Sequence, residues 1–346
     1  MTKASALAVS VGLAATLAAS TQGSIVATGA GGGTPSYALH AGIPPLPVGS
    51  GTAYDPAFTG GVRVAVGDVT GDGTPDLITG TGLGSTHVKV FDGVSGIATR
   101  SFFSYGGFTG GVYVAAGDLD GDGFADIVTG AGPGGGPHVK VFSGQSGAEL
   151  NSFFPYTPSF QGGVRVAVGD IDGDGVRDII AGAGPGGNGH VTAFHAVTGA
   201  PLSSFFAFGP TFTGGVHVAA GDINGDGRAD IIVGAEGSSH VKVFSGATGA
   251  ELQSFFAFPG FSGGVRVAAG DINGDGRADI IMGMGEGGSL VRIMSGLDGS
   301  DLATFSPLPG SSAFGVYVGA DGGPIPAPAG MIMLAMGAAA TFRRRR

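Results

Sequence analysis

Nine residues, Asp170-Ile-Asp-Gly-Asp-Gly-Val-Arg-Asp178, carry the densest chemistry in the chain. Four more copies run Asp68 to Asp76, Asp118 to Asp126, Asp222 to Asp230 and Asp271 to Asp279, and the first Asp recurs at intervals of 50, 52, 52 and 49 residues. Each copy has an acid at positions 1, 5 and 9, an oxygen-bearing side chain at position 3, and Gly at positions 4 and 6. Carboxylates this close repel one another, by on the order of a few kcal/mol per pair at an effective dielectric of about 20. A hard cation held by oxygen ligands offsets that repulsion, so the pattern predicts about five Ca2+ ions in five loops. The ligands at positions 1, 3, 5 and 9 are Asp68, Thr70, Asp72 and Asp76; Asp118, Asp120, Asp122 and Asp126; Asp170, Asp172, Asp174 and Asp178; Asp222, Asn224, Asp226 and Asp230; and Asp271, Asn273, Asp275 and Asp279. A backbone carbonyl near position 7 would assist, and the glycines permit the tight wrap of backbone. Thr70 is the weak member of the set.

Two other readings compete. Asp-Gly and Asn-Gly are turn dipeptides, so a lone copy is equally well a surface turn; five copies in register, each keeping Asp at position 9, favour the metal. An EF-hand opens with a similar pattern but needs a bidentate Glu at position 12 and flanking helices. Position 12 is Thr79, Thr129, Ala181, Val233 and Met282, and the flanks are rich in Gly and Val.

The elements that must hold these loops are short strands. In the third unit Gly163-Val-Arg-Val-Ala-Val-Gly169 alternates with period two, a strand signal. The loop follows, then a strand from Asp178 to Gly182, a Gly-Pro-Gly-Gly turn, a strand from His190 to His195, a Thr-Gly turn and a strand around Ser203 to Phe208. Four short strands in about 50 residues make a propeller blade. Ile25 to Gly42 resembles the second half of a unit and Phe314 to Asp321 the first half. The expected fold is therefore all-β, a propeller of six four-stranded blades whose ring is closed by the N- and C-terminal half repeats. Small residues in the first strand suit the crowded centre. The pairs Phe102-Phe103, Phe153-Phe154, Phe205-Phe206 and Phe255-Phe256 suit packing between blades.

The chain has 346 residues, 73 of them Gly, with no Cys and no Trp. That much Gly without a three-residue period is not collagen. Without cysteine there are no disulfides, which a domain of this size does not need outside the cell. The formal net charge is −10, but the five loops hold 17 of the 26 acids, and no basic stripe points to nucleic acid.

The unit Phe-x-Gly-Gly-Val…Gly-Asp-Ile-Asn-Gly-Asp-Gly-x-x-Asp-Ile-Ile…Gly-Ala-Gly-Pro resembles the FG-GAP repeats of integrin α-type and VCBS-like proteins over roughly residues 24 to 321. That resemblance implies a β-propeller with calcium held in the acidic loops. Its larger members close with seven blades, whereas five units and two halves make six.

Residues 1–23 read as a secretory signal peptide, with Lys3 at the start, an apolar run from Ala6 to Ala19 and small residues for cleavage. Residues 24–322 are the propeller. Residues 323–346 hold a Pro-rich motif (Pro324 to Ala329), an apolar run from Gly330 to Phe342 and four arginines, Arg343 to Arg346. This order is similar to the PEP-CTERM class of bacterial sorting signals, with Ala where the namesake motif has Glu. The similarity implies an exosortase-type processing enzyme as a partner and transient membrane anchoring through the C-terminal segment. A plain membrane anchor is the alternative, and the apolar run is short for a stable span. Either way the expected location is the envelope, cell surface or extracellular matrix of a bacterium.

Other patterns carry less. Gly130 to Gly135 and Gly182 to Gly187 satisfy G-x-G-x-x-G, but a strand follows where a nucleotide site needs a helix. His87, His138, His190 and His240 share one repeat position, and the fifth unit has Leu290 there; a repeated hydrogen bond to a neighbouring turn is favoured over a metal-binding rim. Arg63, Tyr113, Arg165, His217, Arg266 and Tyr317 share a position on the innermost strand. They either ring the channel, suited to an anionic or carbohydrate ligand, or pack between blades.

No catalytic triad or carboxylate pair stands out from the repeats. The sequence thus predicts a secreted or envelope-anchored calcium-binding protein acting as an adhesion, recognition or matrix module, not an enzyme, with an extracellular glycan or protein as its ligand. A propeller-type polysaccharide lyase and a purely structural matrix protein are the alternatives. Fold alone does not separate them.

Overall fold

The computed structural model describes residues 24–308 and 314–321. The signal-peptide and sorting-segment expectations fall on residues outside these. In chain order the strands are β1 (Ile25–Ala30), β2 (Ser36–Ala41), β3 (Leu46–Thr52), β4 (Val62–Gly67), β5 (Asp76–Thr81), β6 (His87–Phe91), β7 (Ala98–Phe103), β8 (Val112–Gly117), β9 (Asp126–Ala131), β10 (Val139–Phe142), β11 (Glu149–Phe153) and β12 (Val164–Gly169). There follow β13 (Asp178–Ala183), β14 (His190–Phe194), β15 (Pro201–Phe206), β16 (Val216–Gly221), β17 (Asp230–Ala235), β18 (His240–Phe244), β19 (Glu251–Phe256), β20 (Val265–Gly270), β21 (Asp279–Met284), β22 (Val291–Met294), β23 (Asp301–Phe305) and β24 (Val316–Ala320).

They form six four-stranded antiparallel sheets: β4 to β7, β8 to β11, β12 to β15, β16 to β19, β20 to β23, and β24-β1-β2-β3. The innermost strands β4, β8, β12, β16, β20 and β24 neighbour one another in a closed ring. This is a six-bladed β-propeller. The sixth blade is assembled from the two ends of the chain, with Val26 opposite Ala320 and Gly29 opposite Tyr317. No helix among the described residues is long and apolar enough to cross a membrane.

The second strand is buried along its whole length in five blades, as in Asp178-Ile-Ile-Ala-Gly-Ala183, and in the remaining one up to Met284. It is covered on both faces by neighbouring blades, which explains its unbroken apolar run. Each fully buried isoleucine, such as Ile180, Ile232 or Ile281, contributes on the order of 2 kcal/mol. The end of the first strand lies against the next blade. A Cβ on Gly169 would stand 2.6 Å from Ala220 Cβ and 2.8 Å from Ala229 Cβ.

The phenylalanine pairs divide, contrary to the expectation that both members pack between blades. The first member packs inward: Phe102, Phe153 and Phe205 meet Phe142, Phe194 and Phe244 at 4.7–5.2 Å. The second, Phe103, Phe154, Phe206 or Phe256, is exposed and stacks on His87, His138, His190 or His240 at 4.4–4.7 Å. Adjacent residues of a strand point to opposite faces, so two consecutive rings cannot both enter one core. Each of those histidines pairs through Nε2 with a serine of the outermost strand, Ser101, Ser152, Ser204 or Ser254, at 2.7–2.9 Å. The repeated hydrogen bond is thus present, but its partner is the neighbouring strand rather than a turn.

Candidate metal loops and the channel mouth

Each nonapeptide joins the innermost strand of a blade to its second strand. In the third copy Asp170 accepts from the backbone N–H groups of Gly173 (2.7 Å) and Gly175 (2.9 Å), which have φ of 76° and 90°. Those angles are open to glycine at little cost. Asp172 accepts from Asp174 N at 3.1 Å, Asp174 from Val176 N at 2.8 Å, and Asp178 from Ile171 N at 2.9 Å. The other copies repeat this scheme, except that in the first Asp72 N donates to Asp68 at 3.1 Å instead of to Thr70. The position-9 carboxylate also ties the loop to the turn after the third strand, as Gly144 N does with Asp126 at 2.9 Å and Gly93 N with Asp76 at 2.8 Å.

The position-9 acids Asp76, Asp126, Asp178, Asp230 and Asp279 are buried. Burial pushes their carboxyls up to about 6, against the backbone N–H groups that favour the anion. Asp120 is raised by desolvation and by the neighbouring charges of Asp122 and Asp118.

The loops bring the expected ligands together to different degrees. Asp118, Asp120 and Asp122 place one carboxylate oxygen each within 4.8 Å of one another, and so do Asp170, Asp172 and Asp178. Between them these two loops gather positions 1, 3, 5 and 9. In the fourth loop Asn224 Nδ2 lies between Asp226 (3.0 Å) and Asp230 (3.2 Å), and in the fifth Asn273 Nδ2 donates to Asp275 at 2.8 Å. Rotating either amide would turn its oxygen to the same place. In the first loop Thr70 Oγ1 is buried without a hydrogen-bond partner. The donor set is oxygen-rich and anionic, which suits a hard divalent cation. Such an ion would neutralise the facing carboxylates and rigidify the turn; the residues that would hold it are the four side chains of each loop.

One contributor escaped the sequence reading. His195 Nε2 lies 3.3 Å from Asp174 Oδ2 and joins Asp172 and Asp174 in a third close group. The corresponding residues of the other complete blades are Asp92, Ser143, Ser245 and Ser295, so aligning the repeats would have singled it out. Its Nδ1 accepts from Val197 N at 3.2 Å, which keeps the proton on Nε2, facing the carboxylate.

The position shared by Arg63, Tyr113, Arg165, His217, Arg266 and Tyr317 lies at the opposite ends of the innermost strands and rings the channel mouth. Tyr113, His217 and Tyr317 form a triangle with centroids 6.1–6.4 Å apart. Arg63 stacks on Tyr113 at 3.7 Å and Arg266 on Tyr317 at 3.8 Å, measured from Cζ to the ring centroid. Glu236, also missed from sequence, enters this ring, accepting from Arg165 and lying 3.3 Å from His217 Nε2. Below the ring the channel narrows onto Val64, Val114, Val166, Val218, Val267 and Val318. Near its far end stands Arg177, at a loop position that holds Pro75, Ala125, Ala229 or Ala278 in the other copies.

With loops and blades placed, the repeats can be matched to known families. Residues 170–233 and 222–282 match the FG-GAP-like repeat, and residues 110–148 match the FG-GAP repeat. These segments match FG-GAP repeats. The matched segments span complete acidic loops in blades two to five. Among solved structures, the propeller is similar to rhamnogalacturonan lyase YesW, with 14% identity over 79% of this chain and 59% of that one, at a TM-score of 0.45. It is similar to a chain of the mitotic checkpoint complex (10% identity, 71% and 63%, TM-score 0.46) and to the V. cholerae biofilm matrix protein Bap1 (21% identity, 71% and 39%, TM-score 0.39). The chain thus spans less than two thirds of each of these.

Proposed function

We propose that this protein is a calcium-loaded, non-catalytic propeller that serves as an adhesion, recognition or matrix module outside the cell. The observation that carries this reading is the convergence of side-chain oxygens in the nonapeptide loops at one end of the ring. Calcium would make that end rigid and leave the opposite mouth and the outer strands free for a partner, a glycan or another protein. Residues 1–23 would direct export. Residues 323–346 would anchor the chain transiently until an exosortase-type enzyme processes it. The regularity of the repeats supports a binding role over a catalytic one, because an active site usually breaks such symmetry with an insertion.

The test is a calcium titration of the metal-stripped chain followed by melting temperature, with a glycan binding screen and a uronate-polymer lysis assay on the loaded protein. A rise of tens of degrees, saturating near five ions, together with ligand retention and no unsaturated sugar products, is expected. An unchanged melting temperature in chelator would sink the metal assignment, and polymer cleavage would sink the non-catalytic one.

A further inference from the structure

The channel mouth is built like an anion site. Going round the ring, guanidinium and aromatic groups alternate: Arg63, Tyr113, Arg165, His217, Arg266, Tyr317. The three arginines are only 5%, 4% and 9% exposed. Their flat faces lie against the tyrosine rings, which leaves their N–H edges to seek acceptors. Arg165 finds Glu236 and Gly162 O, and Arg266 finds Phe314 O at 3.3 Å. Yet Arg63 Nε and Nη1, Arg165 Nε and Arg266 Nη1 are buried with no hydrogen-bond partner. A buried donor without an acceptor is costly, and a charged one more so.

The charge does not close either. Three guanidinium groups face one half-buried acid, Glu236, because Glu286 at the rim is exposed. Burial keeps His217 neutral, lowering it to about 4. Burial alone would raise the Tyr317 phenol, but Arg266 and Arg63 beside it draw it down to about 8, as expected where positive charge lacks its counter-ion. Glu236 itself breaks the repeat: its place in the other five blades is held by Gly31, Gly82, Gly132, Gly184 and Gly285. The cavity in front of the ring measures about 480 Å³, within the range of small-molecule sites.

We propose that this mouth binds a carboxylate or sulfate group carried on a molecule of about monosaccharide size, with Arg63 and Arg266 as its principal donors. Arginine forks match the paired oxygens of either group. Glu236 then competes with the ligand for Arg165 and tunes affinity downward. The proposal gives the recognition reading a site, but it lies at the end of the channel away from the acidic loops. The calcium titration and the anion titration therefore fail independently.

The test is calorimetry on the full calcium-loaded chain at constant ionic strength, with D-galacturonate, galactose 6-sulfate and galactose as probes and inorganic sulfate as competitor. Saturable binding of at least one charged sugar with a Kd on the order of 1 mM or tighter, and none of galactose, is expected; which charged sugar binds separates carboxylate from sulfate. Arg63→Gln and Arg266→Gln should each weaken binding about tenfold or more, and Glu236→Gln should strengthen it about fivefold. The last variant adds affinity, so its effect cannot be mistaken for misfolding. Equal responses to galactose and both charged sugars, or an affinity unchanged by Glu236→Gln, would overturn the proposal.

Discussion

The Glu236 carboxylate lies 3.3 Å from the His217 Nε2 and also accepts from Arg165. Burial alone would raise Glu236, but His217 and Arg165 hold it down to about 2, while burial lowers His217 to about 4. Both shifts are below the unfolded values, so the unfolded chain binds more protons as pH falls and stability drops. His217 costs stability as pH falls from about 6.5 to 4, and Glu236 loses its contribution from about 4.5 towards 2. The buried loop acids, raised to about 6, act in the opposite sense in metal-free protein, so the comparison must be differential. His217→Phe should lose about 2–3 kcal/mol less than the parent between pH 7 and 4. Denaturant unfolding of both chains at each pH checks this, and parallel curves would show that His217 is charged in the fold.

The first loop should be the weakest for calcium, because Thr70 offers an uncharged oxygen where Asp120 and Asp172 offer carboxylates. Thr70→Asp should tighten that loop by about tenfold. Asp170→Ala should remove one bound ion and, at calcium tenfold above Kd, about 1.4 kcal/mol of calcium-dependent stability. Calorimetry gives the stoichiometry, and melting in calcium against chelator gives the stability.

Tyr105 crosses from one blade to the next. Its hydroxyl meets Thr129 O at 3.0 Å, Thr129 Oγ1 at 3.1 Å and His138 O at 2.8 Å. Tyr54 and Tyr156 repeat this contact, while Phe208 and Phe258 fill the same place without a hydroxyl. Tyr105→Phe should therefore cost about 1–3 kcal/mol by leaving buried acceptors short of a donor. A melting-temperature loss within error would show that Thr129 Oγ1 takes over the role.

Gly169→Ala should destabilise by about 1–3 kcal/mol, because its methyl would meet Ala220 Cβ and Ala229 Cβ. An exposed control, Gly199→Ala, has open space around its added methyl but a φ of 67°. It isolates the strain of that backbone from crowding between blades, and chemical denaturation of the two variants separates these effects.

The six-bladed ring was legible because its signals are local and repeated: period-two strands, acidic loops and half units at each end. What escaped lay in contacts between residues far apart in sequence. Two adjacent phenylalanines read as equally apolar, yet the pleat sends Phe102 inward and Phe103 outward. Glu236 and His195 each occur once, so they look like noise in a repeat until its copies are aligned. Phe314 to Asp321 read as the first half of a unit ending on the Asp that opens a loop elsewhere. The pairing of β24 with β1 instead puts Asp321 at the register of Gly270, where it accepts from Ile25 N at 2.9 Å. Whether the Arg63 position faced the channel or a neighbouring blade depended on a ring that only six strands together define.

The pairing of β1 with β24 also sets an order of events during synthesis. β1, a strand buried on both faces in the finished protein, is made first and waits for nearly 300 residues before its inner partner exists. Until then it presents an unpaired edge of the kind that recruits stray strands, and its closure joins the ends of a very long loop. A circular permutant opened between β3 and β4 would make all six blades contiguous, shorten that loop to a hairpin and leave no strand waiting. Its gain in refolding rate would measure what the split blade costs the natural chain in time rather than in stability.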